Sequence, residues 1–371
     1  MMDRNIPVKV GFQQRVLPTY RVPFFDALAE VCPQGLGVFA GEPRSDEALD
    51  TGAVPLKAGY YHARNLHVLK RVFYMCWQVN ILAWLEKWNP RVLIMEANSR
   101  YPSSYSAIRW MRMHGGKLIG WGLGSPTPAG RFSRLRLKRR KDFISRFDAL
   151  ITYSQAGAQE YVKLGFPAER IFCAPNAVAP KPTRPLIQRR LDFSAGRPVV
   201  LFVGRLQARK KVDQLIRACA QMPEEKQPVL WIVGDGPQRR ELETLAEGLY
   251  PTVKFFGAQH GKELEQLFQS ADLFVLPGTG GLAVQQAMSF GLPVIVGEAD
   301  GTQSDLVRPE NGWTLAEDNP EKLSRLLQQA LGNVNRLRQM GAASYRIVSE
   351  EINLEKMVDV FITAVNSVLE G

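Results

Sequence analysis

Residues 271–296 read ADLFVLPGTGGLAVQQAMSFGLPVIV. An apolar run closing on a turn signal (Leu273 to Pro277), a glycine-rich hinge (Gly278, Gly280, Gly281), a helical segment (Leu282 to Phe290) and a second apolar run (Pro293 to Val296) spell strand, loop, helix, strand. Such a unit is one βαβ crossover of a parallel sheet. Glycines at a strand end let backbone approach a ligand, and the helix start behind them offers free N–H groups and the positive end of a dipole. An anion, a diphosphate by preference, is expected there; a tight turn with no ligand is the alternative.

Moving outward, the same alternation occurs twice. Before the hinge come Val199 to Val203 as strand, Lys211 to Gln221 as helix, Val229 to Val233 as strand, Arg239 to Gly248 as helix and Val253 to Phe256 as strand. Nearer the start, Val8 to Phe12 reads as a first strand. It leads into a loop rich in polar donors (QQRVLPTYR) and a helix bearing Phe24, Phe25, Leu28 and Ala29. Leu36 to Ala40, Arg91 to Met95, Lys117 to Trp121 and Ala149 to Tyr153 read as further buried strands, and Val72 to Leu85 as a core helix too short to span a bilayer. The Pro-, Arg- and Ala-rich stretch that opens at Pro175 has little periodicity, and the linker is placed at 179–198. The expected architecture is α/β: two doubly wound Rossmann-like domains, 1–178 and 199–350, facing a central cleft, with ligands at the carboxyl ends of the strands. Residues 351–371 close the chain as one amphipathic helix, expected to pack back on the first domain.

Bulk properties narrow the function. The chain has 371 residues, 45% of them apolar, with neither a secretory leader nor a membrane-spanning apolar run, so a cytoplasmic protein is expected. Four scattered cysteines form no CxxC pair, and neither zinc nor a disulfide framework is suggested. The net charge of +11 calls for an acidic partner. Much of it lies in residues 131–146, where Arg131, Arg134, Arg136, Lys138, Arg139, Arg140 and Lys141 accompany Phe132, Leu135, Phe143 and Phe147 at mostly helical spacing. A basic amphipathic helix of this type suits an anionic membrane surface, placing the protein peripherally on the inner face of the plasma membrane; a solvated face over a core helix is the alternative. No nucleic-acid-binding motif accompanies the charge, and no nucleic acid is expected as partner.

The second half, in the order LFVGRLQARKKVDQLI, LWIVGDGPQRRELE, VKFFGAQHGKELEQLFQSADLFVLPG, GLAVQQAMSFGLPVI and DGTQSDLVRPENGWTL, resembles the C-terminal domain of group 1 retaining glycosyltransferases of the GT-B fold. The first half resembles that family more thinly, at ITYSQAGAQEYVKLGFPAERIFCAPNAV, LIGWGLGS and QQRVLPTYRVPFFDALAE. The resemblance implies that Arg205 and Lys210, beside Gly204, hold and neutralise the diphosphate of a nucleoside diphosphate sugar. It further implies that Gly278, Thr279, Gly280, Gly281 and Leu282 offer backbone N–H groups to the same phosphates, and that the base packs near Gly257. An acceptor, a glycan or a lipid-linked sugar, would meet Gln14, Arg15, Tyr20, Arg21 and Glu96. GDGP at 234–237 lacks the third glycine of a dinucleotide fingerprint, since Arg239 stands there, and reads as a turn.

Two departures qualify the resemblance. The family's paired glutamates fall at Gly278 and Gln286, of which only Gln286 can reach a ribose hydroxyl through its side chain. The family histidine falls at Leu123, leaving Glu96 and Asp300 as the acids of interest. No Asp-x-Asp pair occurs, so no metal and no cofactor is expected, and side-chain cations take the metal's place. The expected function is metal-independent hexosyl transfer with retention onto a lipid-linked or polysaccharide acceptor in cell-surface glycan synthesis. The alternative is a glycosyltransferase-like subunit without catalysis that supports a partner enzyme at the membrane.

Overall fold

A computed structural model of the chain describes residues 5–44, 47, 51, 56–69, 74–124, 133–280, 282–297 and 303–371, without the side chain of Ser304. Contacts divide it into two units: Met1–Val178 with Leu354–Gly371, and Ala179–Asn353.

In the first unit the strands are β1 (Val10–Val16), β2 (Leu36–Gly41), β3 (Gly59–Ala63), β4 (Asn65–Val68), β5 (Met75–Gln78), β6 (Val92–Glu96), β7 (Lys117–Gly122), β8 (Ala149–Thr152) and β9 (Ile171–Cys173). Among the described residues, seven of these form one sheet in the order β3-β2-β1-β6-β7-β8-β9, and every ladder in it is parallel. Its helices are α1 (Val22–Glu30), α2 (Ile81–Trp88), α3 (Pro102–Met113), α4 (Ser133–Ile144) and α5 (Gln155–Lys163). Because side chains alternate along a strand, each central strand feeds two cores. Val92, Ile94, Ile119 and Trp121 enter one cluster, whereas Leu93, Met95 and Leu118 enter the other.

The second unit repeats the plan with β10 (Val199–Val203), β11 (Val229–Val233), β12 (Lys254–Gly257), β13 (Leu273–Leu276), β14 (Val294–Gly297) and β15 (Gly312–Leu315). The order is β12-β11-β10-β13-β14-β15, again parallel throughout. Its helices are α6 (Val212–Ala220), α7 (Arg239–Leu249), α8 (Gly261–Ser270), α9 (Leu282–Ser289), α10 (Gln303–Leu306), α11 (Pro320–Leu331) and α12 (Val334–Glu350). In each unit the strand order reverses once, between β1 and β6 and between β10 and β13, and a parallel sheet opens its binding crevice at that reversal.

Charge also ties the second unit together. Asp272, only 4% exposed, accepts from the Val199 amide (2.9 Å) and from Arg190 (3.1 Å) and Arg338 (2.7 Å). Arg189 donates to the carbonyls of Phe268, Gln269, Ala271 and Phe290, which fastens the chain around residue 189 to the ends of α8 and α9.

Two local readings differ from the sequence expectation. The first strand runs on to Val16, so Gln13, Gln14 and Arg15 are strand residues rather than a loop; Gln13 and Gln14 are buried and find partners in Gln78. Within the apolar stretch from Val72, Met75–Gln78 is strand, pairing antiparallel with Asn65–Val68, and the helix begins only at Ile81. Cys76 and Gln78 face inward while Trp77 faces out, a period of two that the antiparallel ladder with the preceding strand imposed over helical propensity.

The closing helix α13 (Leu354–Glu370) packs into the first unit. Phe361 lies 4.9 Å from Phe24, 5.4 Å from Trp121 and 6.0 Å from Phe12, centroid to centroid, with no exposed surface. Truncating it leaves a cavity in the aromatic cluster. Phe361→Ala is expected to cost about 4 kcal/mol in chemical denaturation of the first unit, with the second unit's transition unmoved.

Candidate functional site

The site in the second unit grows from the reversal between β10 and β13. After Val203 the chain turns through Gly204 and Arg205, buries Leu206, and makes a short 3-10 turn, Ala208–Lys210, closed by Lys211 in the left-handed region at φ 55°. Neighbouring strand ends fix this turn: the Gly204 amide donates to Val233 O (3.0 Å), Leu206 to Asp235 O (2.9 Å) and Gly234 to Gly257 O (2.7 Å). Gly234, at φ 132°, has no room for a Cβ, which would strike the Gly204 carbonyl. The GDGP segment is thus the turn its sequence suggested.

From the other side, β13 delivers Pro277 and Gly278. A Cβ on Gly278 would run into the backbone of Arg209 and Lys210, so the position admits glycine alone. The contact is stitched by hydrogen bonds: Thr279 N to Arg209 O (3.0 Å), Arg209 Nη1 to Thr279 Oγ1 (3.1 Å) and Lys210 Nζ to Thr279 O (2.6 Å). Gly280, at φ 138°, lies under the Lys210 ammonium. Gln303, 3% exposed at the start of α10, donates to Gly280 O (2.8 Å) and Gly278 O (3.3 Å) and so holds the loop from below. Its role was not legible in the sequence, because a lone glutamine has no pattern until the fold sets it under the loop.

Lys210 is the chemically poised group. Burial, and then the Arg209 charge, push its pKa down to about 8, and no carboxylate pairs with it among the described residues. One N–H of its ammonium is used by Thr279, which leaves two for a ligand. Arg205 is exposed and without a hydrogen bond or ion pair among the described residues. Leu282 opens α9, and Gln286 follows one turn later on the same face, half-buried. Gly257, at φ 70°, ends β12 beside Arg239. Gly281 and Asp300 lie outside the described residues.

In the first unit the reversal between β1 and β6 gathers the other candidates. The Arg15 amide donates to Glu96 Oε1 (2.8 Å), and the Arg15 guanidinium is held by Glu47 at 2.7 Å. Burial raises the Glu96 pKa above the ordinary carboxyl value, against the pull of the Arg15 amide and cation. Gln13 Oε1 accepts the Glu96 amide (3.2 Å), and Gln78 bridges Gln13, Asn65 and the Gln14 carbonyl. Gln14 itself is buried, and its Oε1 has no partner among the described residues. Tyr20 is exposed, and Arg21 is buried against it. The structure therefore brings Gln14, Arg15 and Glu96 together, with Tyr20 and Arg21 forming a separate pair at the start of α1. Leu123, where the family histidine would fall, is exposed.

Helix α4 departs from a single amphipathic face. Phe143 and Ile144 enter the core, whereas Leu135 is 66% exposed among Arg134, Arg136 and Lys138. Arg139 reaches back to Ser99 O (2.9 Å), and Arg131 and Phe132 lie outside the described residues.

Comparisons with known proteins fit this geometry. A family described as Glycosyl transferases group 1 matches residues 183–347, and one described as Glycosyltransferase Family 4 matches residues 37–181. Among curated proteins, a sulfoquinovosyl transferase of Arabidopsis thaliana is 37% identical over 139 residues, 36% of this chain and 26% of that one. A GDP-mannose-dependent phosphatidylinositol monomannoside mannosyltransferase of Corynebacterium glutamicum is 29% identical over 259 residues, 65% of this chain and 66% of that one. The chain thus spans between about a quarter and two thirds of the length of these relatives. Among solved structures, Anabaena HepE in complex with UDP superposes with a TM-score of 0.70 at 17% identity, covering 96% of this chain and 99% of that one. The apo lipopolysaccharide outer core galactosyltransferase WaaB does so at 0.67 and 16%, covering 96% and 99%. With both parallel sheets and the glycine loop in place, the chain belongs to the glycosyl transferases of group 1.

Proposed function

We propose that the protein transfers a hexose, with retention and without a metal, from a nucleoside diphosphate sugar to a hydroxyl of a lipid-linked or polysaccharide acceptor. One observation carries the reading: a half-buried lysine with no carboxylate partner among the described residues is presented over a glycine loop at the strand-order reversal. A diphosphate gives Lys210 its missing counter-charge, Arg205 adds a second cation from the rim, and the amides at the start of α9 complete the cradle. These cations neutralise the charge that builds on the nucleoside diphosphate as it leaves, the part that a bound divalent ion plays elsewhere. Gln286 reaches the ribose, and the acceptor binds the first unit near Arg15, Arg21 and Glu96. The relatives' names support sugar transfer to lipids and lipopolysaccharide: a mannosyltransferase of phosphatidylinositol mannosides and a lipopolysaccharide core glycosyltransferase are among them.

The absent glutamate at position 278 favours a variant site over a decayed one. A degenerate site would leave space where the side chain had been, whereas Gly278 is pressed against Arg209 and Lys210. A subunit without catalysis would bind nucleotide weakly or not at all in a thermal-shift screen and would form no product with any donor and acceptor.

Three outcomes test the reading. UDP, GDP, ADP and TDP are screened by thermal shift; one is expected to raise Tm, and Lys210→Ala to weaken it at least tenfold, on the order of 1.4 kcal/mol or more. Because burial lowers the Lys210 pKa, the binding-competent ammonium is present below about pH 8 and lost above it. Nucleotide affinity measured by calorimetry is therefore expected to be flat to about pH 8 and to fall, by up to about tenfold per unit, at higher pH. A decline that begins only above pH 10 would remove Lys210 from the site.

Gly278→Ala is expected to force the two loops apart, costing about 1–3 kcal/mol of stability and most of the nucleotide affinity. Wild-type affinity in that variant contradicts the loop's assigned role. For the membrane, replacing the exposed Arg134, Arg136 and Lys138 of α4 by Gln is expected to lower partition onto phosphatidylglycerol vesicles by on the order of a hundredfold, at about 1 kcal/mol per cation. Unchanged sedimentation with vesicles removes α4 from the interface.

A further inference from the structure

Among the described residues of the first unit, Arg21 is a buried side chain that bears a full charge and has no carboxylate or carbonyl to answer it. Its residue is 5% exposed, and its side chain makes no hydrogen bond or ion pair among the described residues. The guanidinium is enclosed instead by three aromatic rings: Trp121 at 4.9 Å, Tyr153 at 5.2 Å and Tyr20 at 5.5 Å. Aromatic faces hold a cation but leave its N–H groups unused, and the Arg21 Nη1 is buried with no acceptor among the described residues. The indole of Trp121, the ring on which Arg21 lies, shares this: its Nε1 is buried and has no partner among the described residues.

Buried donors without acceptors are costly, the more so when one carries a full charge. Elsewhere among the described residues the half-buried Arg338 is paired with Asp272 at 2.7 Å and the half-buried Arg189 with four carbonyls, each with only one nitrogen left over. Here the guanidinium meets ring faces and makes no hydrogen bond among the described residues. The missing partner must therefore be rich in acceptors and negative. Arg21 also opens α1, whose first turn contains no acidic residue, so the local field of the helix start adds to the attraction.

We propose that Arg21 and Trp121 form a receptor for a phosphate group on the acceptor substrate. The proposal rests on the transferase reading for the role of that substrate, since the first unit is where the acceptor is assigned. A tetrahedral oxyanion takes two N–H groups of the guanidinium fork and the indole N–H on separate oxygens, for which a carboxylate has too few. Tyr20, exposed and stacked on Arg21, forms the rim. The acceptor is thus a phosphorylated sugar or a lipid-linked sugar with its phosphate near the transfer position, and Arg21 is a specificity-determining residue rather than a catalytic one.

The test uses the full chain with Lys210→Ala, which removes one of the two donor-site cations; phosphate held by the other, Arg205, would not respond to changes at Arg21 or Trp121. Inorganic phosphate is titrated at constant ionic strength by thermal shift and calorimetry. Binding is expected in this background, and adding Arg21→Gln should weaken it by at least about tenfold, as loss of a charge-assisted donor pair does. Trp121→Phe keeps the ring and removes one neutral donor, and a loss of about threefold to tenfold is expected. Near-ultraviolet circular dichroism checks that both variants remain folded, and the Trp121 variant alone decides if Arg21→Gln does not fold.

Phosphate binding that neither substitution alters, or no binding in the Lys210→Ala protein, overturns the proposal. Acetate competing as well as phosphate overturns the choice of phosphate over carboxylate. Glucose 6-phosphate and vesicles of a phosphorylated polyprenol then separate a soluble from a lipid-linked source. Nucleotide binding to the wild type fails or succeeds independently of these results, so the transferase reading and the phosphate receptor fall separately.

Discussion

The hydrogen bond from the Thr279 amide to the Arg209 carbonyl joins two loops that leave adjacent parallel strands in opposite directions. Backbone can meet backbone there only because position 278 has no side chain. Once the loops touch, several features follow. Lys210 is drawn over the loop and partly dehydrated, its pKa drops, and Gln303 occupies the loop carbonyls of Gly278 and Gly280. The parallel sheet supplies the setting, because at a strand-order reversal the two crossover helices go to opposite faces and leave the loops unblocked.

The distribution of charge separates structure from function more clearly than its total does. Arg189, Arg190 and Arg338 are spent on Asp272 and on backbone carbonyls, and they fasten the second unit. Arg15 is spent on Glu47. Among the described residues Lys210 and Arg21 have no such acid; Lys210 is half-buried and partly dehydrated, and Arg21 is buried. Uncompensated burial is tolerated in proteins chiefly where a ligand completes the set. The two sites use different chemistry to hold a cation in waiting: a loop carbonyl for Lys210, aromatic faces for Arg21.

The first unit shows how one side chain can serve both fold and site. Trp121 packs against Phe12, Phe24 and Phe361, which joins β7 to α1 and to the closing helix α13. Its other surface bears Arg21. The position of the cation is therefore set by the same aromatic cluster that anchors the end of the chain, and a rigid ring is a better platform for it than a loop.

Much of the plan was open to reading from the amino acids alone. Unbroken apolar runs such as Val199–Val203 and Val229–Val233 require burial on both faces, and their alternation with amphipathic segments leaves few options other than parallel sheets. The glycine hinge after Leu276 announced a close backbone approach, and Arg205 and Lys210 were visible as cations at a strand end. What sequence could not disclose was anything decided by partners distant along the chain. Met75–Gln78 became strand because Asn65–Val68 pairs with it, and Gln13 and Gln14 became core because Gln78 meets them there. Gln303 acquired its role only beneath Gly278 and Gly280, and Arg21 only between Trp121 and Tyr153. Periodicity and local propensity are properties of neighbours in sequence and therefore fix which elements form. Burial, proton affinity and unsatisfied donors are properties of neighbours in space, and only the tertiary structure decides them.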